Sequence, residues 1–501
     1  MRLQFVIPFL AVAAPLAAQT PHVPAAMSAI RESDINRDMY RMAGPSMRGR
    51  EAGTLDEMRA SMWLADQMRA IGVKPAGEDD SFFQWWNIRR TRVSSVSSSV
   101  KLAGRTLALW TGVSPTSNVA ADVSAGTVFV GDGRDTTIDV RGKVAVATLV
   151  PSATPLRTTT NTYEYRYARQ AIASQSAPLI QRGAAAVVIV ADSTADIAYD
   201  GVWKIQERGT YDVIGGVPRF AAGAAPTQNP PSRITAPVLF VPRSALDAFR
   251  VNGQTLEARI RLENFETPSV NVIGVVRGTD PKLRDEYVLY SSHQDHDGVR
   301  FSVNGDSIWS GADDNASVSV ALLAAARAFV KQPAKRSVLF VFHGAEERGL
   351  LGSRYHAAHP VVPLDRIVAV LNGDMIGRNH PDTASLLGIQ PPHRNSTQLV
   401  QMALEANAVT GRFVIDSLWD RPTHPEGWYF RSDHLPYARL NVPAIEFSTN
   451  LHPDYHTPRD KPENINFPKL TRMTQWMYMT GWLVANAPVR PAIDPAFKLE
   501  R

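Results

Sequence analysis

Five short segments of this chain carry side chains of metal-ligand type at the ends of apolar runs. His293 and Asp295 come at and just after the end of EYVLYSSH (286–293), and Asp313, Asp314 and Asn315 directly precede a long apolar helical stretch. Glu346 and Glu347 follow SVLFVFHG (337–344), Asp374 follows RIVAVLNG (366–373), and His456 lies beyond VPAIEFST (442–449). One acid at the end of an apolar run is commonplace; five such sets are not explained by solubility. Brought to one rim, Asp313-Asp314 and Glu346-Glu347 would repel strongly without a cation. Neutral imidazole with carboxylate suits zinc, cobalt or manganese, and with no cysteine in the chain there is no thiolate for a structural zinc site. Two histidines and three carboxylates serve two metals only if one carboxylate bridges. That arithmetic favours a two-metal site with open positions for water and ions about 3.5–4 Å apart.

The apolar runs alternate with helical patterns at 315–332, 353–358, 396–409 and 470–486. Strands alternating with helices predict an α/β fold, a mixed sheet with a mostly parallel core and helices on both faces. Open sheets of this kind bind ligands beyond the carboxyl ends of their strands, which is where the five segments fall. Upstream, residues 28–75 read as helical, with apolar spacing near 3.6 over 55–72, a stop at Gly72, and Ser33, Asp34 or Asn36 as caps for an earlier helix. Residues 83–110 read as strands. From 112 to 256 the texture becomes Ala-, Val- and Thr-rich, with buried strands at 143–150 and 184–192, a helix at 167–183 and a Gly/Pro loop at 214–232, and no histidine. This predicts a main domain in two segments, 28–111 and 257–490, interrupted by an insert at 112–256. Residues 1–18 pair Arg2 with an apolar stretch and small residues, the pattern of a signal peptide. The chain is expected to be exported, periplasmic or secreted, with no stable membrane insertion afterwards.

The order and spacing of the motifs resemble the co-catalytic two-zinc aminopeptidase family, which includes bacterial leucyl aminopeptidase and glutamate carboxypeptidase-like enzymes. The resemblance is strong over 286–460. It runs through His293-Gln294-Asp295, Asp314-Asn315-Ala316-Ser317, the Glu346–Ser353 stretch, Asn372-Gly373-Asp374-Met375 and Tyr455-His456-Thr457-Pro458-Arg459-Asp460. A weaker likeness covers 28–110, where MAGPSMRGREAGT precedes a helix and IGVKPAG. The insert, with DVRGKVAV and GAAAVVIV around a helix, resembles the protease-associated domain, a β-rich module. The family resemblance implies that Asp314 bridges two zinc ions, that His293 and Asp374 complete one, and that Glu347 and His456 complete the other. It implies Glu346 as the general base that takes a proton from a metal-bridging water, Asp295 as the residue that orients His293, and Tyr455 as a donor to the developing oxyanion. Adjacent residues at a helix start point about 100° apart, so Glu347 can face metal while Glu346 faces water. Val318 departs from the family's usual glycine, which bears on helix–sheet packing rather than on the ligands.

The expected activity is removal of amino-terminal residues from peptides with a free terminus. A carboxypeptidase or dipeptidase on the same metals is the alternative, with Arg378 or Arg431 able to hold a carboxylate. An inactive binding module on the same fold, and a one-zinc enzyme that cyclises amino-terminal glutamine, are further readings. A net charge of +5 over 501 residues is small for a dedicated nucleic-acid binder. There is no G-x-S-x-G elbow and no H-E-x-x-H helix. Among the remaining candidates, His296 reads as a neighbour of the ligand pair and His343 as a core or pocket residue. Asp433-His434 reads as a structural turn or a substrate contact. Trp419, Trp428, Tyr429 and Phe430 read as core or as a side-chain pocket.

Overall fold

The computed structural model describes residues 21–153, 163–218 and 235–500. Residues 1–18, expected to be a signal peptide, and most of the 214–232 loop lie outside the described residues. Two sheets organise the rest. The strands of the first are β1 (Phe83–Val93), β2 (Thr210–Val213), β3 (Leu262–Val276), β4 (Tyr287–His293), β5 (Ser337–His343), β6 (Ile367–Asp374), β7 (Thr383–Leu387), β8 (Val414–Ile415) and β9 (Ala444–Ser448). Their order is β8-β7-β9-β6-β4-β5-β3-β1-β2, with a tenth strand at Lys74–Pro75 paired to β3. Strand β4 runs parallel to β5 and β6, and β6 runs parallel to β9. Antiparallel pairs β3–β5, β1–β3 and β1–β2 extend one side, and β7–β9 begins the other. The parallel-core mixed sheet follows from the sequence pattern. The central strands are apolar at nearly every position because both faces are covered.

The helices are α1 (Glu32–Met42), α2 (Leu55–Ile71), α3 (Ser317–Lys331), α4 (Leu351–Ala358), α5 (Thr397–Val409) and α6 (Phe467–Asn486). Val288, Tyr290, Phe340 and Leu371 form one face of the sheet, in a core with residues of α1, α2, α3, α5 and α6. Leu289, Leu339, Val341 and Val370 form the other, against Ala357 of α4 and Tyr437. Each Val, Leu or Phe among them, fully buried, contributes about 1.5–3 kcal/mol. Helix α2 starts at Thr54, whose hydroxyl accepts from Asp56 N–H, and stops at Gly72, whose φ of 98° suits glycine. Helix α1 begins before the anticipated caps, with Arg31 at the N-cap position; Asp34 instead pairs with Arg31 and Arg37. Val318 of α3 is buried against Gly373 of β6, where a Cβ would come within 2.7 Å of Val Cγ1. The larger residue on the helix thus faces a glycine on the strand.

The second sheet has eight strands and holds the stretch of different texture. Ala121–Phe129, Val144–Thr148, Ala186–Val190 and Val238–Val241 run parallel at its centre, with Ser99–Leu102, Arg105–Leu107 and Thr255–Ile260 on one side and Ser114–Pro115 on the other. Strands at 99–107, before the composition shift, therefore join the insert's sheet, while β2, inside the 112–256 stretch, joins the first sheet. The helix Tyr163–Gln181 and the helix Tyr199–Arg208 pack on this unit. Ion pairs Arg166–Glu426 and Arg208–Glu51, at 3.0 and 2.8 Å, tie it to the main domain. Among the described residues no helix is long and apolar enough to cross a membrane.

Candidate metal centre

The register of the central strands delivers the candidate ligands. His293 ends β4 directly opposite His343 of β5, and Asp374 ends β6 opposite Ser448 of β9. Asp314 sits in the turn Ala312–Ala316 that enters α3, and Glu346 and Glu347 in a 3₁₀ turn after β5. Two groups of ligand atoms form, each with all its atoms within 4.8 Å of one another: His293, Asp314 and Asp374 in one, and His296, Asp314, Glu347 and His456 in the other. Asp314 is common to both. His293 Nε2 lies 3.3 Å from Asp314 Oδ1 and 3.7 Å from Asp374 Oδ1. His456 Nε2 lies 3.1 Å from Asp314 Oδ2 and 3.2 Å from Glu347 Oε2.

The residues fit a cation. His293 Nε2 is fully buried, makes no hydrogen bond and faces two carboxylates. The donors are imidazole and carboxylate without thiolate, the set that suits zinc. Burial pushes the Glu346 carboxyl well above its usual range against the pull of His293. Burial acts the same way on Glu347, but the His456 and His296 rings outweigh it and hold Glu347 well below. Glu346 Oε2 is 3.8 Å from His293 Nε2, and both glutamates line the cavity over the site.

Supporting contacts fix these side chains. His293 Nδ1 is 3.1 Å from the backbone carbonyl of Asp295, whereas the Asp295 carboxylate is 3.8 Å away. That carboxylate instead accepts the N–H groups of Glu346 and Glu347, at 2.9 and 3.3 Å. Asp295 thus orients His293 through its main chain and the Glu-Glu turn through its side chain. The Asp460 carboxylate accepts the N–H groups of Asp313 and Asp314. Asn315 donates to Gly373 O at 2.9 Å. His456 Nδ1 faces Asp297 at 3.2 Å. Tyr455 stacks on His456 with ring centres 3.9 Å apart, and its hydroxyl accepts from Arg431 Nη2 at 2.8 Å.

Several other candidates resolve. His296 is no bystander: its Nδ1 is 2.7 Å from Glu347 Oε1 and 3.9 Å from Asp314 Oδ2. The sequence signal for it lies at Gly311, where a Cβ would come within 2.4 Å of the His296 ring. His343 is core, buried beside His356 and Tyr437. Asp433 and His434 are fully buried and do not line the cavity at the site. Trp428 and Phe430 line that cavity with Leu350 and Leu435, while Trp419 and Tyr429 pack behind them. Arg378 pairs with Asp454, leaving Arg431 as the cavity's arginine of the two.

Residues 271–480 match the family model for Peptidase family M28. The chain is 26% identical over 431 residues to Aminopeptidase YwaD of Bacillus subtilis, covering 84% of this chain and 78% of that one. It is 27% identical over 178 residues to Leucine aminopeptidase 2 of Trichophyton equinum, covering 35% and 32%. In fold it is similar to the aminopeptidase from Aneurinibacillus sp. strain AM-1, with a TM-score of 0.57, 18% identity and 94% and 97% of the two chains covered. It is also similar to BSAP, a zinc aminopeptidase from Bacillus subtilis, with a TM-score of 0.56, 18% identity and coverage of 93% and 97%. The motifs, the fold and these matches support the co-catalytic zinc aminopeptidase family, with a Peptidase family M28 domain over residues 271–480.

Proposed function

We propose that the protein is an exported two-zinc aminopeptidase, with the unit on the second sheet acting as a protease-associated domain beside its site. The observation that carries this reading is a pair of ligand groups sharing Asp314, with Glu346 beside His293 and lining the same cavity. His293, Asp314 and Asp374 would hold one zinc, and Asp314, Glu347 and His456, with His296 alongside, the other. When bound, the zinc ions supply Lewis-acid polarisation of the scissile carbonyl and lower the pKa of water.

The chain's own groups do the rest. Glu346 takes a proton from the attacking water and passes it to the leaving amine. A carboxylate suits both transfers once its pKa lies near the working pH. Burial keeps the Tyr455 phenol protonated, with its pKa pushed up to about 12. Arg431 already occupies a lone pair of that phenol oxygen, so the Tyr455 proton is directed at another acceptor, the developing oxyanion. Leu350, Trp428, Phe430 and Leu435 offer an apolar wall for the side chain of the amino-terminal residue.

Glu346→Gln tests the mechanism. Zinc content stays near two per chain while turnover of aminoacyl anilides falls by about 10³-fold or more. Full activity in that variant refutes the assignment. Export is checked by the mature amino terminus, expected just after residue 18.

A further inference from the structure

Beyond the metal groups, the cleft beside the site carries an unbalanced set of charges. A cavity of about 620 Å³ opens over Asp314, Glu346 and Glu347. A second, of about 500 Å³, lies under the insert helix Tyr163–Gln181 and shares Arg169, Arg431, Tyr455 and His456 with the first. Arg166, Arg169, Arg300 and Arg431 all line the second cavity, and none of its described lining residues is Asp or Glu. Arg300 is matched by Asp297. Arg166 and Arg431 both pair with Glu426, at 3.0 and 2.8 Å. Arg169 is exposed, and its guanidinium reaches the Tyr165 hydroxyl at 3.3 Å. Among the described residues lining the first cavity, Glu426 is the one carboxylate outside the candidate metal ligands and Glu346. Among the described residues, Arg166, Arg169 and Arg431 thus face a cleft in which Glu426 is the carboxylate outside the candidate metal site.

We infer that Arg166, Arg169 and Arg431 bind a carboxylate on the leaving side of the substrate, so that the enzyme selects short peptides or those with an acidic residue after the cleaved bond. This rests on the aminopeptidase reading. The apolar wall of the first cavity takes the amino-terminal side chain, which leaves the second cavity for the rest of the peptide. Guanidinium forks match carboxylate geometry better than any other side chain. Arg166 and Arg169 stand three residues apart on one helix face, and Arg431 also holds Tyr455, the neighbour of His456. A carboxylate bound there lies within a residue or two of the reacting carbonyl. The insert thus contributes binding groups to the site as well as covering it.

The test uses the zinc-loaded full chain with Leu-Ala, Leu-Ala-amide, Leu-Glu-amide and N-acetyl-Leu-Ala. The free acid Leu-Ala should exceed its amide in kcat/KM by about 10- to 100-fold, mainly through KM, as expected for a charge-assisted hydrogen-bonded pair. The advantage should shrink as salt rises. Leu-Glu-amide separates the two sources: parity with Leu-Ala means that a side-chain carboxylate serves, and parity with Leu-Ala-amide means that only the terminal one does. The acid-to-amide ratio should collapse towards one in Arg166→Gln/Arg169→Gln. Arg169→Gln alone, at an exposed position, should lower it part of the way. Equal rates for acid and amide, or an unchanged ratio in the double variant, overturn the inference while leaving the aminopeptidase reading intact. Cleavage of N-acetyl-Leu-Ala, or of no free-amine substrate, counts against that reading instead. In that event calorimetric binding of Leu-Ala and its amide to Glu346→Gln makes the same charge comparison without turnover.

Discussion

Arg50 binds the amino-terminal segment of the main domain to the metal centre, and its removal should be costly. The side chain is fully buried. Its Nε donates to Gln294 O at 2.8 Å, Nη1 to Met42 O at 3.0 Å and Ser310 O at 2.7 Å, and Nη2 to Gly311 O at 2.8 Å. Those carbonyls belong to the loop between His293 and Asp295, the end of α1 and the turn that leads to Asp314. Burial lowers the guanidinium pKa to about 10, so it stays charged at neutral pH, facing Asp295, Asp460, Asp314 and Glu347. Arg50→Met keeps most of the apolar stem and removes every donor. Gly311 O retains a second donor in Ala316 N–H at 3.3 Å. The other three carbonyls, at about 1–3 kcal/mol for each buried group left unsatisfied, set an upper range of about 3–9 kcal/mol. Water entering the vacated polar space offsets part of this, which leaves about 3–5 kcal/mol. Zinc affinity feels two opposed effects. Loss of a nearby positive charge favours the cation, while loss of the struts that place Asp314 and His293 disfavours it. Outer contacts of this kind are worth about 10- to 100-fold in metal affinity, so the net expectation is weaker binding. Urea unfolding in chelator measures the first quantity, and competition with a chromophoric chelator measures the second. Arg50→Lys retains the charge with up to three donors and should recover about half of the stability. If Arg50→Met stays within about 1 kcal/mol of the parent and binds zinc equally well, the bracing argument is wrong.

Asp460→Asn weakens the charge-assisted grip on the Asp313 and Asp314 N–H groups. Thermal melting should show a cost of about 1.5–3 kcal/mol, and chelator competition a weaker zinc site. Gly373→Ala drives a methyl into Val318 and should cost about 1–3 kcal/mol by urea unfolding, with part recovered when Val318→Ala is added. Burial raises the Glu57 carboxyl to about 8 from its ordinary 4.5. The folded state then holds that proton more tightly than the unfolded chain, so its contribution is full below about pH 4.5 and is lost as pH rises through about 8. Between about pH 5 and pH 8 the urea midpoint should therefore fall more in the parent than in Glu57→Gln, and equal falls would contradict the burial argument.

The central sheet was legible because its strands are short, apolar on both faces and separated by amphipathic helices, so length and periodicity point the same way. Elsewhere the local signals were weaker or passed over. The hairpin Gly298–Val303 and Asp306–Trp309 turns at Asn304-Gly305, both with positive φ, and that dipeptide is a strong hairpin signature. Strands β7 and β8 span only Thr383–Leu387 and Val414–Ile415, and their pairing depends on partners distant in sequence. The edges of the insert blur because β1 and β3, 11 and 15 residues long, run out of the first sheet and lead into strands of the second. Composition shifts where burial shifts, and here that is not where the chain changes sheets.

The candidate site divides along the same line. The gathering of the candidate ligands at strand ends was readable, since a parallel sheet aligns those ends whatever the rest of the chain does. His296 was not, because β4 ends at His293 and alternation along a strand says nothing about a residue three places into the following loop. Its placement is set by space: Gly311 leaves room for the ring beside Glu347. Arg50 and Asp460 were unreadable as braces for a related reason, each lying more than 140 residues from the groups it holds near Asp314. The arginine cleft lies furthest from local pattern. Arg166 and Arg169 sit on a helix of the insert, and only the docking of one unit against the other, through Arg166–Glu426 and Arg208–Glu51, brings them over the candidate metal centre. Ligand identity is thus written in short segments, whereas substrate selection is written in how two sheets are joined. Relatives that share every metal motif can therefore differ in the peptides they accept when the insert helix changes.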